Sequence, residues 1–168
     1  MFIRTKKIKG NDYAYLSENK WSKRSKKVKQ ITKKYLGRVY KFDKIKDIEF
    51  DYNNSLSPGE IIKELVILEL KKHGFEKNKN IYEKDCCFVD LKENRVYGSR
   101  GSIAIGMNQG LLSDYTLRRL FHYTRIKDGY DYAKKFIEAG LDIPKEAFID
   151  IYNKIFKEFE DDDENDKN

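Results

Sequence analysis

Lys20-Trp21-Ser22-Lys23-Arg24-Ser25-Lys26-Lys27-Val28-Lys29-Gln30-Ile31-Thr32-Lys33-Lys34-Tyr35 is a cationic run threaded with β-branched and aromatic residues. Val28, Ile31, Thr32, Tyr35, Val39 and Tyr40 favour an extended chain over residues 28–40, kinked or closed by Gly37. Upstream, Tyr13-Ala14-Tyr15-Leu16-Ser17 alternates with the period of a half-buried strand, tyrosines on one face and Ala14 and Leu16 on the other. Residues 2–9 read as a further strand with basic residues on both faces, and Gly10-Asn11-Asp12 and Glu18-Asn19-Lys20 read as turns. The expected unit over residues 1–41 is a small three-stranded antiparallel sheet that packs against the rest of the chain.

Charge divides the 168-residue chain. Residues 1–41 hold fourteen Lys and Arg against Asp12 and Glu18, a net +12. The remainder holds 21 cations against 26 anions, a net of −5 beneath the total of +7. Such asymmetry speaks of a polyanionic partner before it speaks of fold. Aromatic content of 14% sets the chain apart from disordered polymers, despite 38% charged residues. The only cysteines are the adjacent Cys86 and Cys87, which give no disulfide framework and point to a reducing compartment. The opening residues lack the apolar core of a signal peptide, and no apolar run is long enough to span a bilayer. A cytoplasmic protein without a membrane partner is expected.

Residues 42–56 read as a connector, and residues 57–159 as an α+β domain. Ser57-Pro58-Gly59-Glu60 supplies an N-cap, proline at the first helical position and a capping-box glutamate. The helix it opens runs to Lys72 and stops at His73-Gly74, with His73 complementing the helix dipole. Short strands are expected over residues 80–82, 87–91, 95–97 and 102–106. Three helices follow: one from Ser113-Asp114 to Tyr123, one over residues 130–139 ended by Gly140, and one after Pro144. The last carries Ala147, Phe148, Ile151, Tyr152, Ile155 and Phe159 at helical spacing, a stripe that reads as core and is wide enough to leave room for the partner helix of a homodimer. Residues 160–168 form a solvated acidic tail, and seven carboxylates over residues 158–168 could compete with phosphate for the basic stretch.

The candidate phosphate contacts are Arg4, Lys6, Lys7, Lys9, Lys23, Arg24, Lys26, Lys27, Lys29, Lys33 and Lys34, with Tyr15 and Trp21 as candidate base contacts. Arg100, in Gly98-Ser99-Arg100-Gly101, and Arg118 and Arg119, on a helix, are secondary phosphate candidates. His73, His122, Cys86 and Cys87 lack metal-ligand spacing, so no metal or other cofactor is expected. No nucleophilic triad is readable.

Two resemblances add to this reading. The order Phe-Ile-Arg-x-Lys-x-x-x-Gly, Tyr-x-Tyr-Leu-x-Glu-Asn, a basic loop, then Val-Lys-Gln-Ile-x-Lys-Lys-Tyr-Leu-Gly-Arg-Val in residues 1–40 resembles the opening segment of insertion-sequence transposases. That resemblance implies a DNA-contacting module without its enzyme, since no later segment resembles a transposase core. Glu60, Glu64 and Glu69 on a helix, followed by Asp85, Asp90 and Lys92, loosely resemble the layout of metal-dependent nucleases. Where that layout wants a further carboxylate and lysine, the chain has Ile103-Ala104-Ile105-Gly106. The expectation is a non-catalytic nucleic-acid-binding protein, DNA being favoured. Structured RNA or a ribosomal surface, a nuclease, and an adaptor for an acidic protein are the alternatives.

Overall fold

The computed structural model describes residues 1–51, 55–122 and 128–165, the last ten by backbone alone. Strands β1 (Phe2–Ile8), β2 (Asn11–Ser22) and β3 (Lys27–Lys41) form an antiparallel meander. Helix α1 (Pro58–Lys72) precedes β4 (Glu76–Asn78), β5 (Ile81–Lys84), β6 (Cys87–Asp90), β7 (Arg95–Gly98), β8 (Gly101–Met107) and β9 (Gly110–Leu112). Helices α2 (Asp114–Phe121), α3 (Gly129–Ala139) and α4 (Lys145–Asn165) complete an α+β chain. The helix expected to reach Tyr123 ends at Phe121, and Tyr123 lies outside the described residues.

Local signals explain the helix boundaries. Ser57 accepts from the Glu60 amide while the Glu60 carboxylate reaches back to Ser57, and Pro58 occupies the first turn. Gly74, with φ of +80°, turns the chain after α1. Ser113 and Thr116 make the corresponding reciprocal pair on α2, and Asp128 caps α3.

The two sets of strands share one sheet, in the order β1-β2-β3-β8-β7-β6-β5-β4 with β9 beside β8. The join is parallel: Arg38, Val39, Tyr40 and Lys41 run alongside Ile103, Ala104, Ile105 and Gly106. Gly37 makes it possible. At φ of +127° its missing Cβ would fall 2.5 Å from the Ile103 Cα and nearer still to the Ser102 carbonyl oxygen, so any side chain there would push the strands apart. β4 and β9 were not expected; three residues each are too few to show a period.

The sheet changes its buried face at this join. On β1–β3 the apolar side is the one bearing Ile3, Ala14, Leu16 and Val39, which gather with Leu36, Ala104, Leu111 and Tyr115 in a small cluster. On β5–β8 it is the opposite side. Tyr82, Cys87, Val89, Val96, Ile103 and Ile105 join Ile61, Ile62, Leu65 and Leu70 of α1 in the main core. Ala147, Ile151 and Ile155 of α4 are buried within the chain, so this part of the stripe is core, as its pattern reads; Phe159 lies outside the described side chains. His73, the C-cap of α1, is buried, its Nδ1 2.9 Å from the Glu69 carbonyl oxygen. Among the described residues no helix is long and apolar enough to cross a membrane.

Candidate nucleic-acid interface

Beyond the small cluster, β2 and β3 continue as a two-stranded arm. Its register runs from Ser17 opposite Thr32 to Ser22 opposite Lys27, and Lys27–Tyr35 is exposed throughout. At about 3.3 Å per residue, the stretch from Ser17 to Ser22 reaches about 17 Å. Two register shifts, which leave Lys33 and Leu36 without an opposite residue on β2, mark the arm's root. Bulges of this kind sharpen strand twist and re-aim the ribbon.

Trp21, expected in the loop, lies in β2 opposite Val28, and the two are 63% and 60% exposed. Val28 belongs to neither cluster of buried residues. The same face carries Arg4 and Lys6 of β1, Tyr13 and Tyr15 of β2, and Tyr35 and Arg38 of β3. Tyr15 and Tyr35 pack with ring centres 5.4 Å apart, the Lys6 ammonium sits 5.2 Å over Tyr15, and Arg4 donates to Gln30. Partial burial, reinforced by Tyr13 and Tyr15, raises the Tyr35 hydroxyl pKa above its ordinary value.

The other face carries Lys20, Lys27, Lys29 and Lys34, while Lys23, Arg24 and Lys26 occupy the tip. Lys7 sits on β1 and Lys9 in the β1–β2 turn, both exposed. Aromatic and lysine faces are therefore back to back rather than shared. Among the eleven cations singled out as primary phosphate contacts, only Lys33 is ion-paired within the described residues. Its partner Glu18 also takes Lys20, and the hydrogen bond from Lys33 holds the Glu18 carboxyl below its usual pKa.

Of the secondary candidates, Arg100 is exposed in the β7–β8 turn, outside the parallel register with β3, while the other two lie at the arm's root. Arg118 and Arg119 line a cavity of about 440 Å³ together with Lys34 of the arm. Lys135, Tyr115, His122, Asp114 and Asp131 complete that lining and were not singled out for it from the sequence, because nothing there brings α2 and α3 to β3. Arg38 was likewise missed as a site residue; it accompanies Arg4 and Lys6 and donates to the Asn11 side-chain oxygen at 2.6 Å.

The weak nuclease candidates are not assembled. Asp90 accepts from the Lys92 and Glu93 amides at 2.9 and 3.0 Å, organising the β6–β7 turn. It alternates away from Val89 and Tyr82, whereas Glu64 of α1 acts on the Tyr82 hydroxyl from the opposite side of the sheet. Among the described residues no three His, Cys, Asp or Glu side chains stand together as metal ligands.

A larger cavity, about 640 Å³, lies at the far end of β3 and includes His73, Asn108 and Lys44 in its wall. In its wall the exposed Asn108 donates its amide to the buried Glu69 carboxylate at 2.8 Å and to the Gly140 carbonyl at 2.9 Å. Comparisons with protein-family models, curated proteins and solved structures found no match to this chain.

Proposed function

We propose that the protein is a non-catalytic nucleic-acid-binding protein whose β2–β3 arm lies against the phosphates of its ligand. The observation that carries this reading is the arm itself, which is cationic along one face and at its tip, exposed along Lys27–Tyr35, and ion-paired among the described residues only at Glu18. Lysines on edge strands commonly guard against strand-to-strand association. That role needs a few charges on one strand, whereas here the cations also occupy the tip and β1.

Duplex DNA is the favoured ligand. Its major groove, about 12 Å wide and about 8.5 Å deep, admits a two-stranded ribbon, and the cations of the lysine face and the tip would meet its phosphates. The resemblance of residues 1–40 to the opening segment of insertion-sequence transposases supports DNA in particular. Trp21 and Tyr15, on the same open face, supply aromatic surface for unpaired bases, which favours structured RNA as the second reading.

Filter binding of duplex DNA, duplex RNA and single strands across a salt series tests the proposal. Each phosphate contact contributes a slope of about −0.9 in log affinity against log salt on duplex DNA. A steep slope, with duplex DNA held most tightly, is expected. Salt-insensitive binding, or none, would overturn phosphate recognition, and preference for RNA would move the assignment to the second reading.

A further inference from the structure

We infer that the cavity at the arm's root, between β3, α2 and α3, binds a nucleotide phosphomonoester, free or at the end of a strand. This rests on nucleic-acid binding by the arm and assigns to that surface a subsite for strand ends. Lys34, Arg118, Arg119 and Lys135 line the cavity against two carboxylates, Asp114 and Asp131, a surplus of two positive charges. Asp114 is already engaged, accepting from the Val96 amide at 2.6 Å. Asp131 lies 3.4 Å from the Lys135 ammonium, and Arg119 is paired with Glu138. Lys34 and Arg118 have no carboxylate partner among the described residues.

Burial separates this group from an ordinary solvated patch. Lys135 is only 6% exposed, so its ammonium is held in the cavity wall with one carboxylate for three donors. At 3.4 Å from a single carboxylate, that ammonium has donors left for a further acceptor. A phosphomonoester carries about −1.5 to −2 charges at neutral pH and three acceptor oxygens, against a single charge on a backbone diester. It therefore matches the surplus better than a passing strand does.

The cavity's 440 Å³ lies within the size range of small-ligand sites. Tyr115 forms one wall, with the Arg119 guanidinium 5.4 Å from its ring centre, leaving an aromatic surface beside the phosphate position. Lys27, Lys29 and Lys34 share a face of the arm, and Lys34 is the residue that reaches the cavity. A strand following that row from the tip would arrive with its end at Arg118.

The test compares adenosine 5′-monophosphate with adenosine by calorimetry, and short strands ending in 5′-phosphate, 3′-phosphate or hydroxyls by fluorescence anisotropy. The wild type, Arg118→Ala and Lys34→Ala are used, both positions being exposed. The nucleotide is expected to bind at least about tenfold more tightly than the nucleoside, and one phosphorylated end to gain a similar factor, as charge-assisted hydrogen bonds of about 1.5–3 kcal/mol imply. Both variants should lose that gain. Strands bound equally with and without terminal phosphate, together with no preference for nucleotide over nucleoside, would overturn the cavity assignment and leave the arm's role standing. Nucleotide binding without polymer binding would do the reverse, keeping the cavity and removing the arm. Preference for the free nucleotide over a phosphorylated end identifies the first source, and the opposite result the second.

Discussion

The arm and the body of this protein solve opposite problems with the same sheet. In the body, β5–β8 pack Val89, Val96, Ile103 and Ile105 with the apolar face of α1 in the main core. In the arm, the same β2 and β3 that enter the small cluster at Leu16 and Leu36 run on into solvent with both faces bare. Stability and charge are thus segregated along single strands. Substitutions in the body should change folding, and substitutions in the arm should change binding alone.

Gly37→Ala is the sharpest way to break the boundary. Overlap with β8 and an unfavourable φ act together, so a loss of about 3 kcal/mol or more is expected, read as a fall in unfolding midpoint. An unchanged midpoint would mean that the parallel join is not formed. Leu65→Ala, within the main core, should cost about 2–5 kcal/mol by the same measurement.

Replacing Lys23, Arg24, Lys26 and Lys27 with serine should leave the unfolding midpoint within about 0.5 kcal/mol per site of wild type, because all four are exposed. The same variant should flatten the duplex-DNA salt slope by about 3–4. A large loss of stability would show that the arm is part of the fold. Trp21→Ala refines the comparison between the arm's two faces: a loss of about 1–3 kcal/mol for single strands and little for duplex would place a base on the aromatic face. Equal losses on both ligands would argue against stacking.

The smallest effect concerns the body's thiols. Cys87 is buried, and that burial, with the neighbouring Cys86, pushes its pKa up to about 12, while Cys86 is exposed. At pH 8 the Cys87 thiol stays protonated, so one thiol per native chain should react promptly with iodoacetamide and a second only on unfolding. Two fast thiols in the native protein would contradict the packing of β6.

The contrast between arm and body also decides what could be read from the residues alone. Capping chemistry at Ser57-Pro58-Gly59-Glu60 and the period of Tyr13-Ala14-Tyr15-Leu16 are local, and both elements were legible. Gly37 announced an interruption without saying that β8 would lie against it, since a parallel partner more than sixty residues away leaves no mark in local pattern. Trp21 was misplaced because its neighbours Lys20 and Ser22 look like loop residues, although the hairpin register draws all three into β2. For the site, the cations of residues 1–34 stood out by composition. The cavity residues Lys135, Tyr115 and His122 did not, because only packing brings α2 and α3 to Lys34.

The central claim is that the arm and its root, rather than the part of the body formed by α1 and β5–β7, hold the polyanion. Amide chemical-shift mapping during titration with a short DNA duplex tests it most directly. Perturbations concentrated over residues 20–34 and extending to Arg118 are the expected result. Perturbations confined to α1 and β5–β7, with residues 20–34 unmoved, would contradict it.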